Sequence, residues 1–204
     1  VAANDTNAVV LDVRHQNDFV KGHVPRSIFI GLNGDFAPWV GALIKDITQP
    51  ILIVSKAEQL EESITRLTRV GFDNVIGHLD GGIEAWKTSG KEIGTVETIS
   101  AKEFSETYKS NNLNIYDVRK KSEFLSQHIV GASNTPLSNL NKYISDFKNE
   151  GSYYMHCAGG YRSMIANSIL KANGIHNVID VQGGFSSIMN TKIRITDFVC
   201  PTTL

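Results

Sequence analysis

Leu11-Asp12-Val13-Arg14 returns in the second half of the chain as Tyr116-Asp117-Val118-Arg119. The two Asp-Val-Arg segments lie 105 residues apart (Asp12 to Asp117), and at the same spacing Phe19 answers to Phe124 and His23 to His128. Further on, Asn74-Val75-Ile76 matches Asn177-Val178-Ile179, and Gly81-Gly82 matches Gly183-Gly184. Short matches in one order, with an offset that drifts by only a few residues, mark two copies of one module. The 204 residues divide accordingly into expected domains over 1–94 and 95–204, each of ordinary domain size.

The second copy alternates strand and helix. Asn114–Val118, Tyr153–His156 and Asn177–Val181 read as short, largely apolar strands. Leu137–Phe147 and Met164–Ala172 read as helices, the latter stopped by Asn173-Gly174, and a short helix follows Gly183-Gly184. Ser100-Ala101-Lys102-Glu103 is a capping box at the opening of this copy. The matching position of the first copy falls before Val1, so the first copy is expected to lack its opening strand and helix and the chain to be a piece of something longer. Gly90–Thr95 is the expected linker. Strands alternating with helices of this length call for an α/β fold: in each copy a parallel sheet flanked by helices on both faces.

Composition narrows the function. Lys and Arg number 20 against 21 Asp and Glu, a net charge of −1, without the basic excess of a nucleic-acid or polyanion binder. The chain is 41% hydrophobic, enough for a core, yet Ile51-Leu52-Ile53-Val54 is among its longest apolar runs, far short of a membrane span of about 20 residues. Two cysteines exclude a disulfide scaffold, and a reducing, cytoplasmic compartment is expected. The six histidines (His15, His23, His78, His128, His156, His176) show no metal-ligand spacing, so no metal or cofactor is expected in this chain.

Chemistry concentrates at Cys157-Ala158-Gly159-Gly160-Tyr161-Arg162-Ser163, directly after one strand and before a helix. Ligands of open parallel sheets sit beyond the carboxyl ends of the strands. Adjacent glycines allow positive φ and let the backbone amides turn toward a common centre. The following helix points its unpaired N–H groups at the same centre, Arg162 adds a permanent charge, and Ser163 suits an N-cap. All of this favours an anion at the Cys157 sulfur. The plainer alternative, an ordinary buried cysteine, seldom heads a glycine pair leading into an arginine and a helix. His156 is expected to point away from Cys157, because neighbours on a strand face opposite sides. Tyr161 can line the mouth of the pocket, and Cys200 has no anion-binding surroundings. In the first copy Ser55 stands opposite Cys157, followed by Lys56-Ala57-Glu58-Gln59-Leu60-Glu61-Glu62, with no glycine and three carboxylates, so that copy is expected to be catalytically silent. Phe36–Leu43 reads as a short core-packing helix in preference to a segment that packs on a neighbouring domain or roofs the Cys157 pocket.

The Asp-Val-Arg strand ends, Glu123-Phe124…His128-Ile129…Gly131-Ala132, the Cys157–Ser163 loop and Gly183-Gly184 together resemble the rhodanese domain. The resemblance covers nearly all of the second copy and, with gaps, most of the first. It implies a sulfurtransferase whose Cys157 takes a sulfane sulfur from thiosulfate or a low-molecular-weight persulfide and passes it to a thiol, cyanide or sulfite. Ala158, Gly159, Gly160, Tyr161, Arg162 and Ser163 would hold the sulfur and its donor. Asp117 and Arg119 would support the loop as an ion pair, joined by Glu123; their copies Asp12 and Arg14 persist without a cysteine. Gln127 departs from the family, which often has glycine before the histidine. A persulfide carrier or scaffold is the alternative. Phosphatases and arsenate reductases of the same fold are less well matched, since their loop carries five residues between Cys and Arg where this one has four. The whole arrangement is similar to the C-terminal part of persulfide dioxygenase–rhodanese fusions, which implies a preceding metallo-β-lactamase-fold domain with non-haem iron as a partner in the same polypeptide. No iron ligand set is present in this chain.

Overall fold

The computed structural model describes residues 5–110, 113–148 and 150–200; Val1 and Pro201 lie outside them. The chain divides into two compact units, Val1–Thr95 and Val96–Leu204. In the first unit, strands β1 (Val9–Asp12), β2 (Ile28–Phe29), β3 (Ile51–Val54) and β4 (Val75–His78) alternate with helices α1 (Gln16–Lys21), α2 (Phe36–Leu43), α3 (Leu60–Thr68) and α4 (Gly82–Thr88). The second unit runs β5 (Glu97–Ile99), α5 (Ala101–Ser110), β6 (Asn114–Asp117), α6 (Lys121–Ser126), β7 (Ser133–Asn134), β8 (Tyr153–His156), α7 (Tyr161–Ala172), β9 (Val178–Val181) and α8 (Gly184–Ile188).

Both sheets are parallel throughout, with strand orders β2-β1-β3-β4 and β5-β9-β8-β6-β7. In the second unit α5 and α8 pack together over one face, where Phe104, Ile115, Ile129, Val181, Phe185, Ile188 and Ile193 form a core cluster. On the other face α7 meets the 3-10 turn over Leu137–Lys142. Burying such clusters is the main favourable contribution to folding.

The duplication is visible contact by contact. Asp12 aligns with Val54 across β1 and β3, and Asp117 with His156 across β6 and β8, so Ser55 and Cys157 hold equivalent positions. Phe19 stacks on His23 with centroids 3.9 Å apart, and Phe124 on His128 at 3.8 Å. Each histidine Nδ1 lies within hydrogen-bond distance of its phenylalanine's carbonyl, at 3.0 and 2.7 Å. Gly81 and Gly183 both cap a helix with left-handed φ, of 67° and 72°.

Several local expectations change. Leu137–Phe147 is not an α-helix but two 3-10 turns, Leu137–Lys142 and Ile144–Asp146. Ser138, Asn139 and Asn141 are weak helix formers, and burial of Leu137, Leu140 and Phe147 is achieved without a continuous helix. Helix α7 starts at Tyr161, three residues before Met164, so Ser163 sits inside its first turn and Gly160 is the N-cap. Gly90–Thr95, the expected linker, ends where the chain divides, and within it Gly94 exchanges backbone hydrogen bonds of 2.9 Å with His23. Gln127 leaves its turn unchanged, because φ is −167° there and 172° at Gly22, both extended and open to any residue. Phe36–Leu43 is the short helix expected, with Phe36 and Val40 buried. The capping box forms as read, Ser100 and Glu103 bonding reciprocally.

Candidate active site

Strand β8 delivers Cys157 to the carboxyl end of the sheet, where the chain turns over Ala158, Gly159 and Gly160 into α7. Cys157 is 1% exposed and lies at the floor of the loop; Gly159 is exposed above it. The Gly160 amide donates to Sγ at 3.1 Å. Gly160 has φ of 107°, a left-handed value that glycine adopts without the steric cost of a Cβ, and there the chain turns from the loop into α7. Gly159 does not share it, so one glycine of the pair makes the turn. An N–H aimed at sulfur favours negative charge there.

Two residues beyond the quoted motif hold the loop from behind. The Phe185 amide donates to the Cys157 carbonyl at 2.7 Å, and the Ser186 amide to that of Ala158 at 3.0 Å. These bonds draw the loop carbonyls onto the start of α8 and leave the Gly160 N–H for the sulfur. The approach is close enough that a Cβ on Gly184 would collide with the Cys157 carbonyl, and φ is 54° there. In the sequence Gly183-Gly184 is visible only as a repeated turn, and its recurrence is the available signal for this clamp.

Arg162 does not stand alone. Its guanidinium donates to Glu123 of α6 at 2.6 and 2.9 Å, a bidentate pair, and Glu123 also feels the charge of Arg119 in the network it is expected to join. Burial works to raise the Glu123 carboxyl, but the bonds from Arg162 and the Lys120 amide outweigh it and hold it below 4.5. The same pairing holds Arg162 above its ordinary range. Tyr161 is half-buried at the start of α7.

Beneath the loop, Arg119 donates twice to Asp117, at 2.8 Å through Nε and 2.6 Å through its terminal nitrogen, and to the Gln127 carbonyl at 2.7 Å. Its guanidinium lies 4.0 Å over the Phe185 ring, which ties the pair to the clamp. Arg14 makes the same bonds to Asp12 and the Gly22 carbonyl, as expected of a scaffold element. His156 is wholly buried; Nδ1 lies 3.2 Å from the Cys157 carbonyl, and Nε2 lies 3.9 Å from Asp117. It makes no bond to Sγ, and burial keeps it below its ordinary 6.5.

On the opposite face of the sheet, Asp180 of β9 is a buried carboxyl the motif reading missed. Burial pushes it from 3.8 up to about 7, against a side-chain hydrogen bond with Ser163 that works to lower it. The Ser163 hydroxyl also donates to the Gly160 carbonyl at 3.1 Å. One hydroxyl hydrogen serves one acceptor, so both bonds stand together when Asp180 is protonated and donates to Ser163. An isolated Asp in a strand gives no sequence signal of this.

In the first unit Ser55 is followed by a 3-10 turn over Ala57–Gln59 and then α3, with no counterpart of the cradle. Cys200 is exposed, and neither cysteine is in a disulfide. Among the described residues no group of three or more His, Cys, Asp or Glu is placed to hold a metal ion. None of the described helices is long and apolar enough to cross a membrane.

Comparison with known proteins returns the rhodanese-like domain family, matched over residues 2–89 and again over 100–191. Over 90 residues the chain is 33% identical to the uncharacterized protein YqhL of Bacillus subtilis, covering 44% of this chain and 70% of that one. Over 97 residues it is 31% identical to the putative sulfur carrier protein YrkF of the same organism, covering 47% of this chain and about half, 52%, of that one. A solved structure of a rhodanese-like domain protein from Staphylococcus aureus, 28% identical, matches with a TM-score of 0.46 and covers 50% of this chain and 100% of its own.

Proposed function

The chain belongs to the rhodanese-like domain family, and from that premise we propose that its second unit is a sulfurtransferase working through a Cys157 persulfide. The Cys157 thiolate attacks the outer sulfur of thiosulfate. The S–S bond of the donor breaks, and its electron pair leaves with sulfite. A low-molecular-weight persulfide reacts in the same way and releases its thiolate. Cyanide, sulfite or a thiol then attacks the outer sulfur of the Cys157 persulfide, takes it up, and returns the electron pair to Cys157 as thiolate. No outside oxidant or reductant is needed. The observation that carries this reading is the Gly160 amide donating to Sγ at 3.1 Å, inside a loop whose carbonyls are held outward. Ala158, Gly159 and Tyr161 flank the path to the sulfur, Arg162 stands beside it for an anionic donor, and the buried Gly160 and Ser163 hold the loop; Asp117 and Arg119 support the loop from beneath. The first unit, with Ser55 in place of the cysteine, takes no part in the transfer. A cytoplasmic setting suits a reactive thiol.

The test is intact mass after incubation with thiosulfate and, separately, with a small persulfide. Cys157 gains one sulfur atom, Cys157→Ser gains none, and cyanide discharges the adduct as thiocyanate. No adduct at Cys157 with either donor overturns the proposal. An adduct that neither cyanide nor thiols discharge favours a carrier, the role suggested by the name of the Bacillus relative YrkF.

A further inference from the structure

The first unit carries a cleft beside the segment equivalent to the active loop. Cys157 and Ala158 offer their carbonyls to the amides of α8, but Lys56, the counterpart of Ala158, gives its carbonyl to Gln59 in the 3-10 turn. Among the described residues no backbone N–H reaches Ser55 from α4. A Cβ on Gly82 would meet the Ser55 carbonyl at 3.6 Å, ordinary contact, where one on Gly184 collides. The cleft measures about 550 Å³ and lies beyond the carboxyl ends of β1, β3 and β4. Its size and position are those of a small-molecule site.

The charges around it select the ligand. Arg14, Lys21, Lys56 and Lys87 line the cleft with Asp18, Asp80 and Glu84, and Arg14 is locked to Asp12 behind it. Four cations meet four carboxylates, a balance that does not favour a polyphosphate or other polyanion. Lys56 pairs with Asp18 at 3.2 Å and Lys87 with Glu84 at 2.8 Å. That leaves Lys21, at the end of α1, and Asp80, before α4, both exposed and neither in an ion pair among the described residues. One uncommitted cation and one uncommitted anion face the same space, with Leu60 and Ile83 as apolar wall.

We propose that this cleft binds a small zwitterion of the amino-acid or short-peptide class, its carboxylate toward Lys21 and its ammonium toward Asp80. The site is independent of sulfur transfer at Cys157. The probe is the dipeptide alanyl-leucine, which has no thiol, titrated into the whole chain while amide shifts are followed by NMR. Shifts are expected to cluster in residues 18–21, 55–60 and 79–84. N-acetylation or C-terminal amidation of the dipeptide should each weaken binding about fivefold or more. Asp80→Asn should erase the penalty for acetylation and Lys21→Gln the penalty for amidation, each leaving the other intact. Both positions are exposed, so neither substitution removes a buried contact. No shifts at about 20 mM dipeptide (binding weaker than about 2 kcal/mol), shifts centred elsewhere, or penalties that both variants retain would overturn the proposal.

Discussion

Replacing Asp180 by Asn isolates the titration of one buried carboxyl from everything else in the second unit. Asp180 is 3% exposed, and its Oδ1 has no hydrogen-bond partner; nor has Oδ1 of Asn167, whose amide nitrogen bonds the Ser163 carbonyl. Burial, opposed by the Ser163 bond, moves the carboxyl from 3.8 to about 7. A carboxyl raised in the folded state holds its proton more tightly there than in the unfolded chain. Its stabilising contribution is therefore complete below pH 3.8 and is lost as pH rises through about 7. At about 1.4 kcal/mol per pH unit the full swing is about 4 kcal/mol, of which about 3 kcal/mol falls between pH 5 and pH 8. Asn has the same shape and no charge at any pH. The stability of Asp180→Asn relative to the parent should thus improve by about 3 kcal/mol between those two pH values. His156, depressed by burial, contributes with the opposite sign: its share is present above 6.5 and lost as pH falls. Both proteins carry it, so it cancels in the difference. Both tryptophans, Trp39 and Trp86, lie in the first unit, and their fluorescence reports on the wrong half. The assay is urea-dependent hydrogen exchange of β8 and α7 amides, corrected for intrinsic exchange, at pH 5, 6.5 and 8. A difference between the two proteins that stays level within about 0.5 kcal/mol over that range refutes the protonated carboxyl.

Gly184→Ala and Gly82→Ala form a matched pair. Both impose a side chain on left-handed φ, at a cost of about 1 kcal/mol, but only Gly184→Ala also drives a methyl into the Cys157 carbonyl. It should cost about 3 kcal/mol in the second unit and abolish persulfide formation; equal losses in the two variants, measured by hydrogen exchange in each unit, would count against the clamp. Glu123→Gln leaves Arg162 without its bidentate partner, and single-turnover sulfur uptake from thiosulfate should slow about tenfold with the fold intact by circular dichroism. An unchanged rate would show that the position of Arg162 does not matter to the donor.

The fold was legible because its signals are local and occur twice. An Asp and an Arg two residues apart at a strand end can bond each other in any copy, and Asp12–Arg14 and Asp117–Arg119 do. The Phe–His spacing of four spans a helix end and one extended residue in each copy, Gly22 and Gln127, and both pairs stack. Periodicity misjudged Leu137–Phe147, since apolar spacing alone does not separate an α-helix from successive 3-10 turns that bury the same residues. In the candidate site, the glycine pair pointed to the cradle, but which glycine is left-handed depends on where α7 begins. The Glu123–Arg162 pair spans 39 residues and the Asp180–Ser163 bond 17, and neither spacing has a sequence signature. Only packing brings those partners together.

The two units differ by coupled changes, not by the loss of one sulfur. Four residues, 157–160, join β8 to α7, whereas five, 55–59, join β3 to α3. The longer connection relaxes into a 3-10 turn that satisfies its own groups: the Gln59 amide bonds the Lys56 carbonyl. With the Lys56 carbonyl bonded inside the loop and no α4 amide reaching the Ser55 carbonyl among the described residues, the clamp and the cradle are absent together. Restoring a cysteine at Ser55 alone would therefore place a thiol beside an undirected backbone, without the amide that meets Sγ in the second unit. The scaffold shared by both copies, the Asp–Arg pair and the left-handed glycine caps, survives because it never depended on that loop.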